Sequence, residues 1–320
     1  MAKLPAGFRA ALLIGWIALA AAGVAYARLK GIPSQAAYPA LAAFLIVYPF
    51  YLVPAFASLR AQITGWRIQA YVLAVALLPY LACCFGAVEF SGLAFAKLAA
   101  WALAMAFWYV VLPRHAAVDL AFLAIIPAVL LGKFFNPIYV PLLPEFRDLI
   151  FLGHISLIVM VVIVLVQQRG VPDSGYGFIP SRRDWWIGAK QALLFLVVAA
   201  PLVVLLDAVK PPHAVPAWKV AVSFIGFLWV LSLSEEFFIR GVLLHWIEQW
   251  TGSVTAALLL SSLVFGLVHL SFGGVFPNYR WVALAGILGW FCGRARIQAG
   301  SIRAGMVTHS LVVAARLFVQ

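Results

Sequence analysis

Charge is what this sequence has least of. Asp, Glu, Lys and Arg together supply 10% of its 320 residues, whereas 66% are hydrophobic and the mean hydropathy is +1.06. A soluble domain carries about 25% charged residues, so a water-facing surface cannot be assembled from this composition. Cysteine is scarce as well. Cys83, Cys84 and Cys292 form no Cys-x-x-Cys pair, which leaves neither a disulfide framework nor a cysteine-based metal motif, and the three are read as packing residues. The apolar runs also lack the period-2 alternation of a membrane barrel. Helices, which satisfy their own backbone hydrogen bonds in lipid, are the remaining way to use them.

The expected class is therefore all-α, a polytopic transmembrane helical bundle. Apolar runs close to the ~20 residues that cross a bilayer recur along the chain. They read as Ala10 to Ala27, Leu41 to Leu59, Ala70 to Val88, Leu98 to Leu112, Leu120 to Leu131, Leu149 to Val166 and Ala192 to Val209. A long helix ending near Trp250, then Ser253 to His269, Trp281 to Arg294 and Ser301 to Val319 complete about eleven spans. The first run follows Lys3 and Arg9 and ends in Ala25-Tyr26-Ala27, like a signal peptide. In a chain with so many later spans an uncleaved signal-anchor is expected. The polar stretch Gln167 to Lys190 suggests a division into an N-terminal membrane region, residues 1–185, and a C-terminal region, residues 186–320. No internal repeat supports a transporter built from inverted halves.

Basic residues outnumber acidic ones, 22 against 10, for a net charge of +12. That excess does not indicate nucleic acid, because the cations cluster at the ends of apolar runs, as in Arg28/Lys30, Arg182/Arg183 and Arg294/Arg296. There they reach headgroups and set orientation. The lipid bilayer is the expected surroundings, and nucleic acid is not an expected partner. Lys and Arg are modestly more numerous on the side of the N-terminus, which is taken as cytoplasmic.

Ionisable residues inside apolar spans cost several kcal/mol each and mark sites by default. Glu235, Glu236 and Arg240 interrupt the long helix before Trp250. Glu236 and Arg240 stand four apart, on one face and able to pair, which turns Glu235 about 100° away. With the turn centred at Gly252, Glu235 lies 17 residues before it and His269 lies 17 after it. At ~1.5 Å per residue both reach the same depth, about 25 Å from the turn. His309 sits inside the last span, free to join them if that helix packs alongside. A carboxylate and two imidazoles in a hollow screened from lipid suit activation of water by a general base, with donors for a developing oxyanion. The competing explanation is that these groups only bond helices together.

Three strings occur in order on successive apolar segments: Glu-Glu-x-x-x-Arg at Glu235, Glu236 and Arg240, Phe-x-x-x-His at Phe265 and His269, and the intramembrane His309. In this they resemble the CAAX-protease and bacteriocin-processing (CPBP, or Abi) family of glutamate-dependent intramembrane proteases. The resemblance covers roughly Val220 to Leu317. It implies a CPBP-type protease domain in residues 186–320, with Glu235 as base for the attacking water, His269 orienting it and His309 stabilising the oxyanion. Glu236, Arg240 and Phe265 would support them. The implied partner is a membrane-associated or exported protein or peptide substrate, and the implied location a bacterial inner (plasma) membrane.

One departure stands out. The family's third motif usually reads His-x-x-x-Asn, whereas this chain has Val313 four residues after His309. Ser310 or Thr308 could replace the lost donor, or the site could be a degenerate scaffold or immunity-type protein that binds without cutting. Other intramembrane protease chemistries fit less well, since there is no His-Glu-x-x-His, Gly-x-Ser-Gly or Gly-Asp string. No cofactor is expected, with zinc held by Glu235, His269 and His309 as the alternative. A proton-coupled transporter is the remaining functional class. His154 and His245 read as packing or interfacial histidines.

Overall fold

The computed structural model describes residues 4–172, 174–206, 208 and 213–319, with only the backbone given for Arg147. Lys3, and Val209 at the expected end of one span, lie outside the described residues. The chain divides into two compact units, Met1–Pro172 and Asp173–Gln320. Among the described residues no strand forms beyond an isolated bridge between Val88 and Pro141.

In the first unit, α1 (Ala6–Leu29) and α2 (Ser34–Leu52) are followed by a single turn at Ala57–Arg60. Then come α3 (Trp66–Cys83), α4 (Gly92–Val111), α5 (Ala116–Leu131) and α6 (Ile150–Ile163). The α2 helix begins earlier than the apolar run suggests, at Ser34 rather than Leu41, and carries Pro39 and Pro49 inside it. Neighbouring helices can re-satisfy the backbone groups such prolines free in a membrane. The centre of the unit is α3, packed against α2, α4 and α6, with Val72, Val75, Ala76 and Tyr80 fully buried. Buried Asp119 accepts two hydrogen bonds of 2.7 Å from Arg169 and one of 2.9 Å from the Tyr109 hydroxyl.

The second unit holds α7 (Arg182–Leu205), α8 (Ala217–Thr251), α9 (Val254–Leu267), α10 (Tyr279–Ala299) and α11 (Ile302–Arg316). Its first helix starts well before the expected Ala192. Ser181 accepts from the Asp184 amide while the Asp184 carboxylate accepts from the Ser181 amide, a reciprocal cap that fixes the start among polar residues. The α10 helix, at 21 residues, is longer than the span expected from Trp281 to Arg294. Arg294 and Arg296 fall within its last turns rather than beyond its end.

All eleven expected apolar segments are thus helices. Among the described residues, seven helical stretches are long and apolar enough to cross a membrane: α1, Ser34–Ala55 around α2, α3, α4, Pro144–Arg169 around α6, α7 and α8. The α5 and α9 helices are apolar but shorter. About eleven crossings is therefore not confirmed by length and composition.

The core of the second unit gathers Phe195 and Ala199 of α7, Phe265 of α9, and Leu284, Leu288 and Cys292 of α10. Two close approaches make it possible. At Gly266, a Cβ would come within 2.6 Å of the Val282 carbonyl oxygen and 3.2 Å of the Gly286 Cα, so α9 and α10 meet backbone to backbone. Small residues serve this purpose in membranes, where close packing and hydrogen bonds hold helices together. At Gly305, a Cβ would stand 2.5 Å from Glu236 Oε2, so the absent side chain is what admits the carboxylate against α11.

Candidate active site

The α8 helix does not run as a plain α-helix. Two π-helical stretches, Phe227–Ser232 and Phe237–Leu243, bracket the α-helical turn Leu233–Glu236. Each wide turn alters the register of the residues after it, and such turns are frequent at functional sites. Glu236 and Arg240 still meet. Arg240 Nη1 donates to Glu236 Oε1 at 3.0 Å, and both side chains are fully buried. The guanidinium also donates to the Gly289 carbonyl of α10 at 2.9 Å through Nη2 and lies 4.4 Å over the Phe265 ring of α9. One cation thus ties α8 to two other helices, as a buried charge requires.

His309 on α11 approaches both carboxylates. Its Nδ1 lies 3.1 Å from Glu236 Oε1 and its Nε2 lies 3.7 Å from Glu235 Oε2. Paired with Arg240, Glu236 is a carboxylate and can only accept, so His309 Nδ1 carries the hydrogen of that bond. Glu235 points elsewhere, as its position in the helix turn requires. Its side chain is 32% exposed, yet its Oε2 is buried without a hydrogen-bond partner. His269, just past the end of α9, has its Nδ1 2.8 Å from the Phe265 carbonyl. A carbonyl only accepts, so Nδ1 bears a proton, and in the tautomer with that single proton Nε2 keeps its lone pair. The Phe265 ring packs edge-on against both imidazoles, 5.0 Å from His269 and 5.5 Å from His309 between centroids.

Glu235, His269 and His309 all line one cavity of about 410 Å³ within the second unit. Its other walls are largely apolar, from α7, α10 and α11, with Leu284 and Leu288 among them. The sequence motifs therefore fall on a single hollow. Glu235 comes nearest to His309, while His269 is anchored to its own helix end and joins the group through the cavity.

Residues 216–315 match the family described as type II CAAX prenyl endopeptidase Rce1-like. This segment is similar to that family. All six residues singled out from the motifs lie within the match, which supports the CPBP resemblance and implies an intramembrane protease of the CAAX type. With its apolar helices, the Rce1-like segment marks the chain as an integral membrane protein. No curated protein and no solved structure matches the chain.

Val313 of the Rce1-like segment lines the cavity, so the position where the resemblance calls for an amide presents a hydrocarbon. Neither suggested replacement serves. The Thr308 hydroxyl is bonded to the Gly188 and Ala304 carbonyls, and Ser310 donates to Ser232 Oγ at 2.9 Å. Both residues are fully buried, and neither lines the cavity.

Among the described residues, one group of three potential metal-ligating atoms lies within 4.8 Å: Glu236, Cys292 and His309. Of its donors, Glu236 Oε1 is shared by Arg240 and His309, and a guanidinium 3.0 Å away competes with a dication for the charge of that carboxylate. The set Glu235, His269 and His309 is not drawn together to that distance. His154 packs between the Phe135 and Phe151 rings at 5.7 and 5.9 Å in the first unit. Sequence reasoning missed the Asp119, Arg169 and Tyr109 cluster of that unit, although Asp119 opens an apolar helix and was there to be noticed. It also missed Arg316, on the wall of the cavity.

Proposed function

We propose that the chain is a glutamate-dependent intramembrane endopeptidase of a bacterial inner membrane, cutting a membrane-associated or exported protein or peptide. What carries this reading is the Glu235 carboxylate, with a buried oxygen that has no hydrogen-bond partner, on the wall of an apolar cavity that His269 and His309 also line. Glu235 takes a proton from a water as its oxygen adds to the scissile carbonyl carbon. The open Nε2 of His269 accepts a hydrogen bond from the same water and orients it. His309 stands beside Glu235 to stabilise the oxyanion. Presenting an Nε2 hydrogen there while keeping its Nδ1 bond to Glu236 uses both ring nitrogens as donors, as in the imidazolium. Glu236 and Arg240 hold the frame. As the tetrahedral intermediate collapses, the C–N bond breaks and the amine leaves with the proton from Glu235, giving one carboxylic acid and one amine.

General-base catalysis of this kind contributes about 10²- to 10⁴-fold. Purified protein incubated with membrane-anchored candidate substrates should lose that much turnover in Glu235→Gln while accumulating and unfolding like the wild type. A wild type and a Glu235→Gln protein that cut equally well would remove Glu235 from the chemistry.

The second reading, a binding or immunity-type scaffold on the same fold, is favoured by one observation, the hydrocarbon of Val313 in the cavity wall. Loss of one oxyanion donor typically costs about 10²- to 10³-fold. A wild-type protein that binds membrane-anchored peptides and cuts none of them would select this reading.

A further inference from the structure

Arg316, the last residue of α11, lines the same cavity as Glu235, His269 and His309. Among the described residues no carboxylate pairs with it. Instead its guanidinium carbon lies 4.6 Å from the Phe272 ring centroid and 4.5 Å from that of Trp281, over two rings that are themselves 5.0 Å apart. Stacking of this kind engages the flat face of a guanidinium and fixes its orientation. It does not neutralise the charge, and it leaves the in-plane N–H donors free to meet an anion in the forked geometry that suits a carboxylate.

Arg316 is half-buried against hydrocarbon walls, and a cation withdrawn even partly from water gains from an anionic partner. The other ionisable residues of the cavity are the three already placed near the scissile bond. Arg316 follows His309 by seven residues, two helical turns, so both project from nearly the same face about 10 Å apart along the axis. An extended peptide advances about 3.3 Å per residue. A chain held at His309 by its scissile carbonyl therefore brings groups about three residues farther along to the level of Arg316.

We infer that Arg316 is a specificity-determining residue that binds a carboxylate of the peptide ligand, supplied either by the chain terminus or by an acidic side chain. Its consequences for cleavage rest on the protease reading above; its consequences for binding do not. The test uses full-length Glu235→Gln protein in phosphatidylcholine vesicles and fluorescent peptides that differ only in their ends. One carries a free terminal carboxylate, one a carboxamide, and one a carboxamide with Glu as its last residue. Hydrogen bonds to charged groups are worth enough to give about tenfold or more in affinity.

The free acid or the Glu peptide should bind at least tenfold tighter than the plain amide, and which of the two does so identifies the source of the carboxylate. Arg316→Gln should level the three by weakening only the tight binders, whereas Arg316→Lys should retain part of the preference. Equal affinities for all three peptides with Arg316 in place, or no binding of any, overturn the assignment without an Arg316 variant. So does an Arg316→Gln protein that folds and keeps the preference. In the wild type the same preference should appear in KM with kcat little changed. A carboxylate preference in binding with no cleavage would instead count against the protease reading alone.

Discussion

Glu236 accepts through one oxygen from Arg240 on its own helix and from His309 on α11, while its other oxygen is buried without a partner. Removing the cation leaves that carboxylate buried and uncompensated, a loss of about 3–5 kcal/mol in comparable pairs. Arg240→Met should therefore lower the denaturation midpoint in detergent sharply, and the double variant Glu236→Gln/Arg240→Met should recover much of the difference. Equal stability of the single and double variants would mean that the pair is not coupled. The partnership itself was legible in the sequence, because a spacing of four puts two side chains on one helix face. That His309 also reaches Glu236 was not, since 73 residues and two intervening helices separate them. The hydroxyls of Thr308 and Ser310 were misjudged for a related reason: sequence gives a side chain's chemistry but not which neighbouring helix claims it. Arg316 escaped notice because a cation at the end of an apolar span ordinarily reads as a headgroup contact.

At the level of elements, apolar run length located every helix, since a segment that cannot meet water must satisfy its own backbone. The ends were less legible. Polar residues extend α7 back to its Ser181 cap and carry α10 on to Ala299, and no hydropathy reading includes them. The π-helical stretches of α8 left no trace in composition either. The contact of α9 with α10 turns on Gly266, where a methyl group would press on the Val282 carbonyl. Overpacking of this sort costs about 1–3 kcal/mol. Gly266→Val should lower the thermal midpoint and, by shifting Phe265 and the end of α9 that carries His269, reduce turnover as well. A Gly266→Val protein as stable and active as the wild type would show that the two helices can part without consequence.

For the molecule as a whole, composition alone indicated a helical membrane protein, and motif order on successive spans pointed to the segment that proved Rce1-like. The number of crossings was less accessible, because α5 and α9 are short and α10 and α11 carry several cations. Orientation depends on that number. With a cytoplasmic N-terminus and eleven crossings, the largely exposed loop from Ser271 to Asn278 faces away from the cytoplasm. Ser271→Cys, in a chain whose own cysteines are replaced by Ala, should then react with a membrane-impermeant maleimide on intact cells. Reaction only after permeabilisation would invert the topology and favour a cytoplasmic substrate. The hollow beside that loop has a further consequence. Four ionisable side chains are set in walls otherwise almost entirely hydrocarbon, so hydration there gathers at a few points and is easily displaced. A long-chain alkyl compound with no amide bond at all should inhibit by drying the chamber, starving the reaction of its second reactant rather than imitating its first.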